Sequence, residues 1–454
     1  MGKEGRLFGT DGVRGIANKE LTGELAYALG VSAGLVMGRH VKGKKPKFLL
    51  GKDTRISCDM LEMAMSAGLL SVGCDVVRIG VLPTPAIAYV TKLTGATAGV
   101  VISASHNPFE YNGIKLFNGE GFKLADELED EISDSIKNTD SEGTQVTGAL
   151  LGKAEYYEEE AQKAYIDFLC DSVSEDLSQL KIVVDCANGA ASKIAKKIFD
   201  RLGVQAVLKG YRPDGTNINE NRGSTHPESM LKRVIKEGAD LGVAFDGDAD
   251  RLICADETGK IIDGDEIMYV LAKSLKSQGK LDNNLVTATI MSNLGFEEAV
   301  EKEGMKLQRA DVGDRYVLEM MQKTGSVFGG EQSGHLIFLK EHTTGDGIFA
   351  ALRFMEALKR SGLKASDLSK DVTIYPQVLK NAKVKNENKY SFDKDEKIAE
   401  TIKEIETAMK GKGRILIRPS GTEPFVRVMI EGGDMHELDR MADKLVRVIE
   451  DRLR

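Results

Sequence analysis

Short apolar runs rich in β-branched residues alternate with longer stretches of helical period along most of the chain. Residues 47–51 and 75–79 have the composition of strands and flank an amphipathic stretch at 59–73, and similar blocks begin near 181 and 252. This alternation is typical of α/β architecture. After about residue 398 the order changes to a helix, two strands and a helix, which predicts a smaller α+β domain.

The length of 454 residues predicts three or four domains. The net charge of -8 argues against a general nucleic-acid-binding surface, so any anionic ligand needs a local positive site. The five cysteines include no CxxC pair, which argues against a zinc finger or a disulfide framework and favours reducing cytoplasm. We expect neither a signal peptide nor a membrane span, because no apolar run reaches about 18 residues.

The first loop with candidate chemistry is segment 103–108, SASHNP, which directly follows an apolar strand. A serine at a strand exit suits an exposed nucleophile, and Ser105 is the candidate. His106 could act as a base, and Lys115 downstream could neutralise a transferring phosphoryl group. The alternative is a plain turn, since serine, asparagine and proline all favour turns.

The second loop carries Asp246, Asp248 and Asp250 at alternate positions behind another apolar strand. Three converging carboxylates require a positive partner, and a divalent cation with oxygen ligands supplies one. Mg²⁺ is favoured over an EF-hand calcium site, because Arg251 stands where that loop needs glycine. A solvated acidic turn is the alternative.

The third loop is segment 329–335, GGEQSGH. Glycines let backbone approach a ligand, Glu331 and Ser333 can accept from and donate to vicinal hydroxyls, and His335 titrates near neutrality. A glycine-rich turn with a charged tip is the alternative interpretation.

The fourth loop is segment 418–424, RPSGTEP. Arg418 and the nearby Arg427 flank a turn whose hydroxyls and backbone N–H groups resemble a phosphate cradle. Neither a Walker loop nor a GxGxxG turn is present, so ATP and NAD have no signature. An ordinary turn with surface arginines is the alternative.

In their order and spacing, these four loops resemble the α-D-phosphohexomutase superfamily along the whole chain. Within it the chain looks most like the phosphoglucosamine mutases, on the segments FGTDGVRG at 8–15, PDGTNIN at 213–219 and GSTHPE at 223–228. The pair Glu110-Tyr111 departs from the expected pattern beside the nucleophile loop.

The resemblance implies a four-domain fold around a central cleft, with three related α/β domains and a C-terminal α+β domain. The implied domains are 1–153 with the phosphoserine loop, 154–253 with the metal loop, 254–366 with the sugar-binding loop and 367–454 with the phosphate-binding loop.

The resemblance also implies roles for the loops. Ser105 would be the phosphoserine and would share one Mg²⁺ with Asp246, Asp248 and Asp250. The residues around the transferring group would be Arg14, Lys115 and Arg251, with His335 and Lys115 as general acid/base candidates. Glu331 and Ser333 would bind sugar hydroxyls. The residues that select the sugar and hold its other phosphate would be Arg309, Asp311, Arg418, Ser420, Gly421, Thr422 and Arg427.

The implied activity is an isomerase that interconverts glucosamine 6-phosphate and glucosamine 1-phosphate through a phosphoserine and a sugar bisphosphate, which serves as primer and intermediate. It would feed UDP-N-acetylglucosamine synthesis in the cytoplasm, act on a small sugar phosphate, bind neither nucleic acid nor membrane, and form a homodimer. Alternatives are phosphoglucomutase or phosphomannomutase activity and a sugar phosphatase with Asp246 as nucleophile. A sugar-phosphate-binding protein without catalysis is the non-enzyme alternative.

Overall fold

The computed structural model describes residues 7–9, 11–39, 41–138, 145–420 and 423–454. The described residues form two units. A small unit contains Ser292–Lys302 and Val372–Arg454, and a large unit contains the other described residues. No helix in the described part of the chain is long and apolar enough to cross a membrane. All five cysteines are buried and free.

The first sheet of the large unit has six strands. They are β1 (Val13–Ile16), β2 (Lys47–Lys52), β3 (Asp75–Val81), β4 (Ala98–Ile102), β5 (Tyr111–Asn118) and β6 (Ala154–Tyr156). The strand order is β1-β5-β4-β2-β3-β6. The accompanying helices are α1 (Gly23–Gly38), α2 (Cys58–Ser71), α3 (Thr84–Thr94) and α4 (Asp126–Asn138). The charged region 126–166 includes α4 and the edge strand β6.

The second sheet has the strand order β11-β10-β9-β7-β8. Its strands are β7 (Lys181–Asp185), β8 (Gln205–Lys209), β9 (Leu241–Phe245), β10 (Leu252–Asp256) and β11 (Ile261–Ile262). The helices in this part of the chain are α5 (Glu158–Asp171), α6 (Ala195–Arg201) and α7 (Glu228–Glu237).

The third sheet has the strand order β13-β12-β14-β15. Its strands are β12 (Leu285–Thr289), β13 (Lys306–Ala310), β14 (Phe328–Gly330) and β15 (Leu336–Phe338). The helices in this part of the chain are α8 (Gly264–Ser277), α9 (Leu294–Lys302), α10 (Asp314–Thr324), α11 (Gly347–Ser361) and α12 (Ala365–Leu368).

The small unit contains α9 and the C-terminal elements. These are β16 (Gln377–Lys383), α13 (Glu396–Met409), β17 (Gly413–Pro419), β18 (Phe425–Gly432) and α14 (Met435–Leu453). The three strands form an antiparallel sheet in the order β16-β18-β17. Apolar side chains of β18 pack against Ile398 of α13 and Leu445 of α14, so this unit has its own core.

The three sheets of the large unit share one plan, a parallel core with an antiparallel strand beside it. β4 is followed by antiparallel β5, β9 by antiparallel β10, and β14 by antiparallel β15. β4 and β9 are buried along their whole length, as expected of strands covered on both faces, which is why they appear in the sequence as unbroken apolar runs. Each candidate loop of the large unit lies between such a strand and its antiparallel partner.

Candidate active site

The nucleophile loop leaves β4 and is buried instead of lying in solvent. Ser105 is buried and has a left-handed backbone with φ of +51°, which is costly for a residue with a side chain. Its hydroxyl donates to Asp246 Oδ2 at 2.6 Å and lies 3.3 Å from His106 Nδ1. Its N–H donates to Ser103 Oγ at 3.0 Å. The serine therefore faces the aspartate loop of the second sheet.

The aspartate loop follows β9 and is also buried. Asp246, Asp248 and Asp250 each offer an oxygen, and these oxygens lie within 4.8 Å of one another. Asp248 Oδ2 accepts from Thr84 Oγ1 at 2.7 Å and from Lys115 Nζ at 3.0 Å.

The chemistry of these carboxylates fits a divalent cation. Within the described chain, neither Asp248 Oδ1 nor Asp250 Oδ1 receives a hydrogen bond, although both atoms are buried. Burial, together with the neighbouring Asp250 and Asp248 charges, holds the pKa of Asp246 well above its usual range. A hard cation would bind the buried oxygens that lack hydrogen-bond donors and would reduce the repulsion between the carboxylates. Mg²⁺ prefers oxygen ligands of this kind.

The third loop joins β14 to β15 and places His335 against the aspartate loop. His335 is buried, with Nδ1 3.5 Å from Asp250 Oδ2 and Nε2 3.8 Å from Asp314 Oδ2. Nε2 accepts the Gly345 N–H at 3.1 Å. Burial lowers the pKa of His335, but Asp250 and Asp314 outweigh that effect and raise it. Burial alone also raises the pKa of Asp250, yet His335 reverses this and the net pKa falls.

Glu331 joins the third loop to segment 311–315. Its Oε1 accepts from the Gly313 N–H at 3.1 Å, and its Oε2 accepts from Ser333 Oγ at 3.3 Å. Ser333 is exposed, so its hydroxyl is accessible to a ligand. Arg309 lies on β13, where Nη1 donates to Thr289 O at 3.2 Å, and Asp311 is exposed. The sequence predicted that both residues help to select the sugar. A cavity beside Glu331 is lined instead by their neighbours Val312–Asp314.

Basic residues from the first sheet meet the aspartate loop. Lys115 on β5 is buried and lies 3.0 Å from Asp11 Oδ2 as well as from Asp248. Arg14 on β1 also pairs with Asp11. Burial lowers the pKa of Lys115, but Asp11 and Asp248 overcome this and raise it. The lysine therefore stays cationic among carboxylates.

Asp11 and Lys123 had no role in the sequence predictions, although Asp11 belongs to the quoted segment 8–15. Lys123 Nζ lies 2.6 Å from Asp11 Oδ1 and also pairs with Asp314. These three residues are far apart in the sequence, and no local motif connects them. Their grouping follows from the fold, which brings Asp11 and Lys123 to Asp314, the first residue of α10.

A cavity of about 520 Å³ opens beside these groups. Its walls include Arg14, His106, Arg251, Asp314, Glu331 and His335. This volume lies in the usual range for a small-molecule site. Burial and the cationic neighbours Arg251 and Arg14 lower the pKa of His106 to about 4, so its imidazole is neutral at neutral pH. The cavity thus combines fixed cations with carboxylates, as a polar phosphorylated ligand requires.

The fourth loop lies in the small unit, between β17 and β18. Arg418 and Arg427 are directly opposed across the two strands. Arg427 also forms an ion pair with Glu423 at 3.2 Å. The two opposed guanidinium groups are fork-shaped donors of the kind that bind phosphate oxygens. Ser420 is buried, and its Oγ accepts the Glu423 N–H at 3.3 Å. Gly421 and Thr422 lie outside the described residues.

Comparison with known proteins agrees with this arrangement. Four family models match in order: the phosphoglucomutase/phosphomannomutase α/β/α domains I at residues 5–143, II at 160–259 and III at 263–375, and the C-terminal domain at 379–448. The chain is 52% identical over 448 residues to the phosphoglucosamine mutase of Clostridium kluyveri, covering 99% of each chain.

Solved structures show the same fold. A phosphoglucomutase/phosphomannomutase family protein from Burkholderia thailandensis superimposes with a TM-score of 0.82 at 24% identity, covering 99% of this chain and 98% of its own. The N-acetylphosphoglucosamine mutase of Aspergillus fumigatus, solved with GlcNAc-6P and magnesium, gives 0.68 at 18% identity, covering 98% and 95%. The four-domain α/β architecture that the sequence predicted is confirmed, and the chain belongs to the phosphoglucomutase/phosphomannomutase family of the α-D-phosphohexomutase superfamily.

Proposed function

We propose that the chain interconverts glucosamine 6-phosphate and glucosamine 1-phosphate through a phosphoserine at Ser105 and a sugar bisphosphate. The full-length similarity to a phosphoglucosamine mutase supports the reaction. The contact that supports the mechanism most directly is the 2.6 Å hydrogen bond from Ser105 Oγ to Asp246, within a buried cluster of carboxylates and cations.

Each half-reaction transfers one phosphoryl group. In the first, the bond between phosphorus and Ser105 Oγ breaks, O1 of glucosamine 6-phosphate forms the new bond, and the proton of that hydroxyl ends on Ser105 Oγ. In the second, the phosphoryl group on O6 of the bisphosphate returns to Ser105 Oγ, and O6 takes the serine proton. The phosphoenzyme is regenerated, so phosphate is conserved.

The carboxylates of Asp246, Asp248 and Asp250 would hold Mg²⁺ together with the oxygen on Ser105. When bound, Mg²⁺ supplies a Lewis acid that takes up negative charge on the phosphoryl oxygens. Lys115, Arg14 and Arg251 provide fixed positive charge beside the same loop, and such preorganised charge stabilises a phosphoryl group in transfer.

His335 and Lys115 are the proposed acid–base groups, because both are buried beside the aspartate loop and His335 reaches the cavity wall. Lys115 stays cationic, so its part would be that of proton donor. Glu331 and Ser333 would bind sugar hydroxyls, and Arg309 and Asp311 would help to select the sugar. The unreactive phosphate would be bound by the fourth loop, at Arg418, Ser420, Gly421, Thr422 and Arg427. A cytoplasmic location, a homodimer and the domain boundaries given above stay predictions.

The test combines mass spectrometry with ³¹P NMR. Intact protein should carry about 80 Da of extra mass, localised to Ser105. The Ser105→Ala variant, supplied with bisphosphate primer, should lose turnover of glucosamine 6-phosphate by at least about 10³-fold, because the phosphoryl acceptor is gone. Full turnover in that variant would falsify the phosphoserine mechanism.

Two further measurements separate the alternatives. Comparison of kcat/KM for glucosamine, glucose and mannose phosphates distinguishes the proposed reaction from phosphoglucomutase or phosphomannomutase activity. Radioactive phosphate trapped on Asp246 instead of Ser105 would support a phosphatase.

A further inference from the structure

Two backbone carbonyls of the nucleophile loop are each bound by the same pair of side chains. Arg55 Nη2 donates to Ser105 O at 3.1 Å and to Asn107 O at 2.6 Å. Asn219 Nδ2 donates to the same two oxygens, at 2.9 Å and 3.0 Å. The donors come from different sheets, since Arg55 follows β2 and Asn219 lies between β8 and α7. The loop is therefore gripped from two sides.

Arg55 is held rigidly at this position. Its side chain is fully buried and forms an ion pair with Asp53, whose side chain is also fully buried. Asp53 Oδ2 accepts from Ser103 Oγ at 2.6 Å, and Ser103 Oγ in turn accepts the Ser105 N–H. A planar guanidinium can bind the carboxylate and both carbonyls at fixed angles, which a lysine cannot do. Arg55 thus fixes the loop from the first sheet.

Asn219 fixes the loop from the second sheet. It is buried, has a φ of +60°, and its N–H donates to Ala187 O at 2.8 Å. Gly247 of the aspartate loop packs directly on this contact. A Cβ there would lie 2.5 Å from Ser105 O and 3.0 Å from Asn219 Nδ2. The nucleophile loop and the aspartate loop consequently meet at the Asn219 amide.

The left-handed backbone of Ser105 explains why these hydrogen bonds to the loop are needed. A left-handed residue other than glycine persists only where its surroundings determine the conformation. At Ser105 that conformation points Oγ at Asp246. If the donors to Ser105 O and Asn107 O were lost, the loop could relax and the hydroxyl would leave the aspartate loop.

We propose that Arg55 and Asn219 are positioning residues that hold Ser105 in its left-handed conformation and thereby aim its Oγ at the aspartate loop. The inference rests on the proposed role of Ser105 as phosphoryl acceptor. Neither residue touches the reacting atoms, so both act through the loop backbone.

Asn219 offers the sharper test, because substitutions can remove its side-chain amide and still allow its positive φ. Asn219→Gly keeps easy access to a positive φ but removes the amide, and Asn219→Asp replaces the donor with an acceptor facing two carbonyls. The matched control is Asn221→Gly, since Asn221 is exposed and also left-handed, with φ of +50°. The readouts are the single-turnover rate of Ser105 phosphorylation by glucosamine 1,6-bisphosphate and the KM for glucosamine 6-phosphate.

We expect both Asn219 variants to lower the phosphorylation rate and kcat by on the order of tenfold or more, with KM changed less than about twofold, because misplacement of a reacting atom acts on the chemical step. The Asn221→Gly control should match the parent protein. Folded Asn219 variants with a phosphorylation rate within about twofold of the parent would overturn the proposal, and so would a raised KM at unchanged kcat.

Arg55→Lys provides a second measurement at the opposite side of the loop. It keeps the charge beside Asp53 but cannot reach both carbonyls, so the phosphorylation rate should again fall more than KM rises. Phosphate on Ser105 is measured first in the parent protein after incubation with glucosamine 1,6-bisphosphate. If it is absent there, the proposed function fails; if it is present and the variants transfer phosphate normally, only the positioning role fails.

Discussion

The imidazole of His335 is packed against a glycine that leaves no room for a side chain. A Cβ on Gly345 would lie 2.6 Å from the ring atoms Cε1 and Nε2. The Gly345 N–H donates to Nε2, so this residue also sets the ring orientation. Gly345, which lies outside the loop 329–335 identified from the sequence, therefore positions the imidazole of His335.

Gly345→Ala should lower kcat for the mutase reaction on the order of tenfold or more, because the methyl group displaces the imidazole from its place beside Asp250. Steady-state kinetics give the result. Gly23→Ala is the control, since a Cβ there would lie 3.9 Å from the Ala64 side chain, an ordinary contact. A Gly345→Ala enzyme with kcat within about twofold of the parent would contradict the packing argument.

The three aspartates lead to a prediction about metal. Chelation of divalent cations should abolish turnover and Mg²⁺ should restore it. Added Mg²⁺ should also raise the thermal midpoint, because a ligand at 100 times its Kd stabilises the folded state by about 2.7 kcal/mol. Asp250→Asn should lose most of that shift. Sodium chloride at equal ionic strength is the control, and an undiminished Mg²⁺ shift in Asp250→Asn would place the metal elsewhere.

At the residue scale the sequence identified Ser105, Asp246, Asp248, Asp250 and His335 as candidates, and the structure brings them together. These residues lie in short loops behind buried strands, where pattern and position are both visible. The sequence did not identify Asp11, Lys123 and Arg55 as candidates, because their role depends on contacts with residues far away in the sequence.

At the scale of elements, the sequence predicted strands with an unbroken apolar run. It did not predict strands whose sequence mixes polar and apolar residues. The sequence of β5 is YNGIKLFN. Its asparagines, glycine and lysine are uncommon in strands, although the interior of this strand is buried. Helix α1 was hidden for another reason. Its Gly30 faces α2 so closely that a Cβ would lie 2.4 Å from Met65 O, so small residues replace the usual apolar stripe.

Helix α14 carries a pH-dependent cap. Asp434 accepts from the N–H groups of His436 and Glu437 at 2.8 Å and 3.1 Å. The Glu437 and His436 N–H groups lower the pKa of the Asp434 carboxyl. A depressed folded-state pKa stabilises the helix above the unfolded value of about 3.9, and this contribution is lost as the pH falls through the folded-state pKa.

Hydrogen exchange in the full chain tests the cap. At pH 7 amides of α14 should be better protected in the parent than in Asp434→Asn, because a charged cap also interacts with the helix dipole. The difference should shrink as the pH falls below about 4. Helix α1 is the internal control, since it belongs to the other unit and its amides should be equally protected in both proteins at each pH. A difference that stays constant down to low pH would count against the carboxylate.

At the scale of the molecule, a charge cluster joins the first and third sheets within the large unit. Lys123 pairs with both Asp11 and Asp314, and Arg315 pairs with Asp126 of α4. Burial lowers the pKa of Lys123, but Asp11 and Asp314 outweigh it and raise the pKa well above its usual range. Lys123 is thus a half-buried cation shared by two carboxylates.

Lys123→Met should destabilise the full chain by on the order of 1–3 kcal/mol, because the half-buried Asp314 carboxylate loses its lysine, whereas Asp11 keeps its ion pairs with Arg14 and Lys115. Urea unfolding followed by circular dichroism measures the change. Adding Asp314→Asn to the same chain should recover part of the loss, since the carboxylate charge that has lost its lysine is removed. No recovery in the double variant would argue that lost packing, and not charge, causes the instability.

The sequence by itself determined the α/β class, the four chemistry-bearing loops and their order, because these depend on local periodicity and on short runs of residues. Tertiary structure alone decided that each candidate loop of the large unit joins a strand to an antiparallel neighbour, and that Asp11, Lys123, Arg55 and Asn219 support these loops. The physical reason is that charge pairing and backbone strain are settled by groups separated by tens to hundreds of residues. Only the folded chain brings those groups within hydrogen-bonding distance.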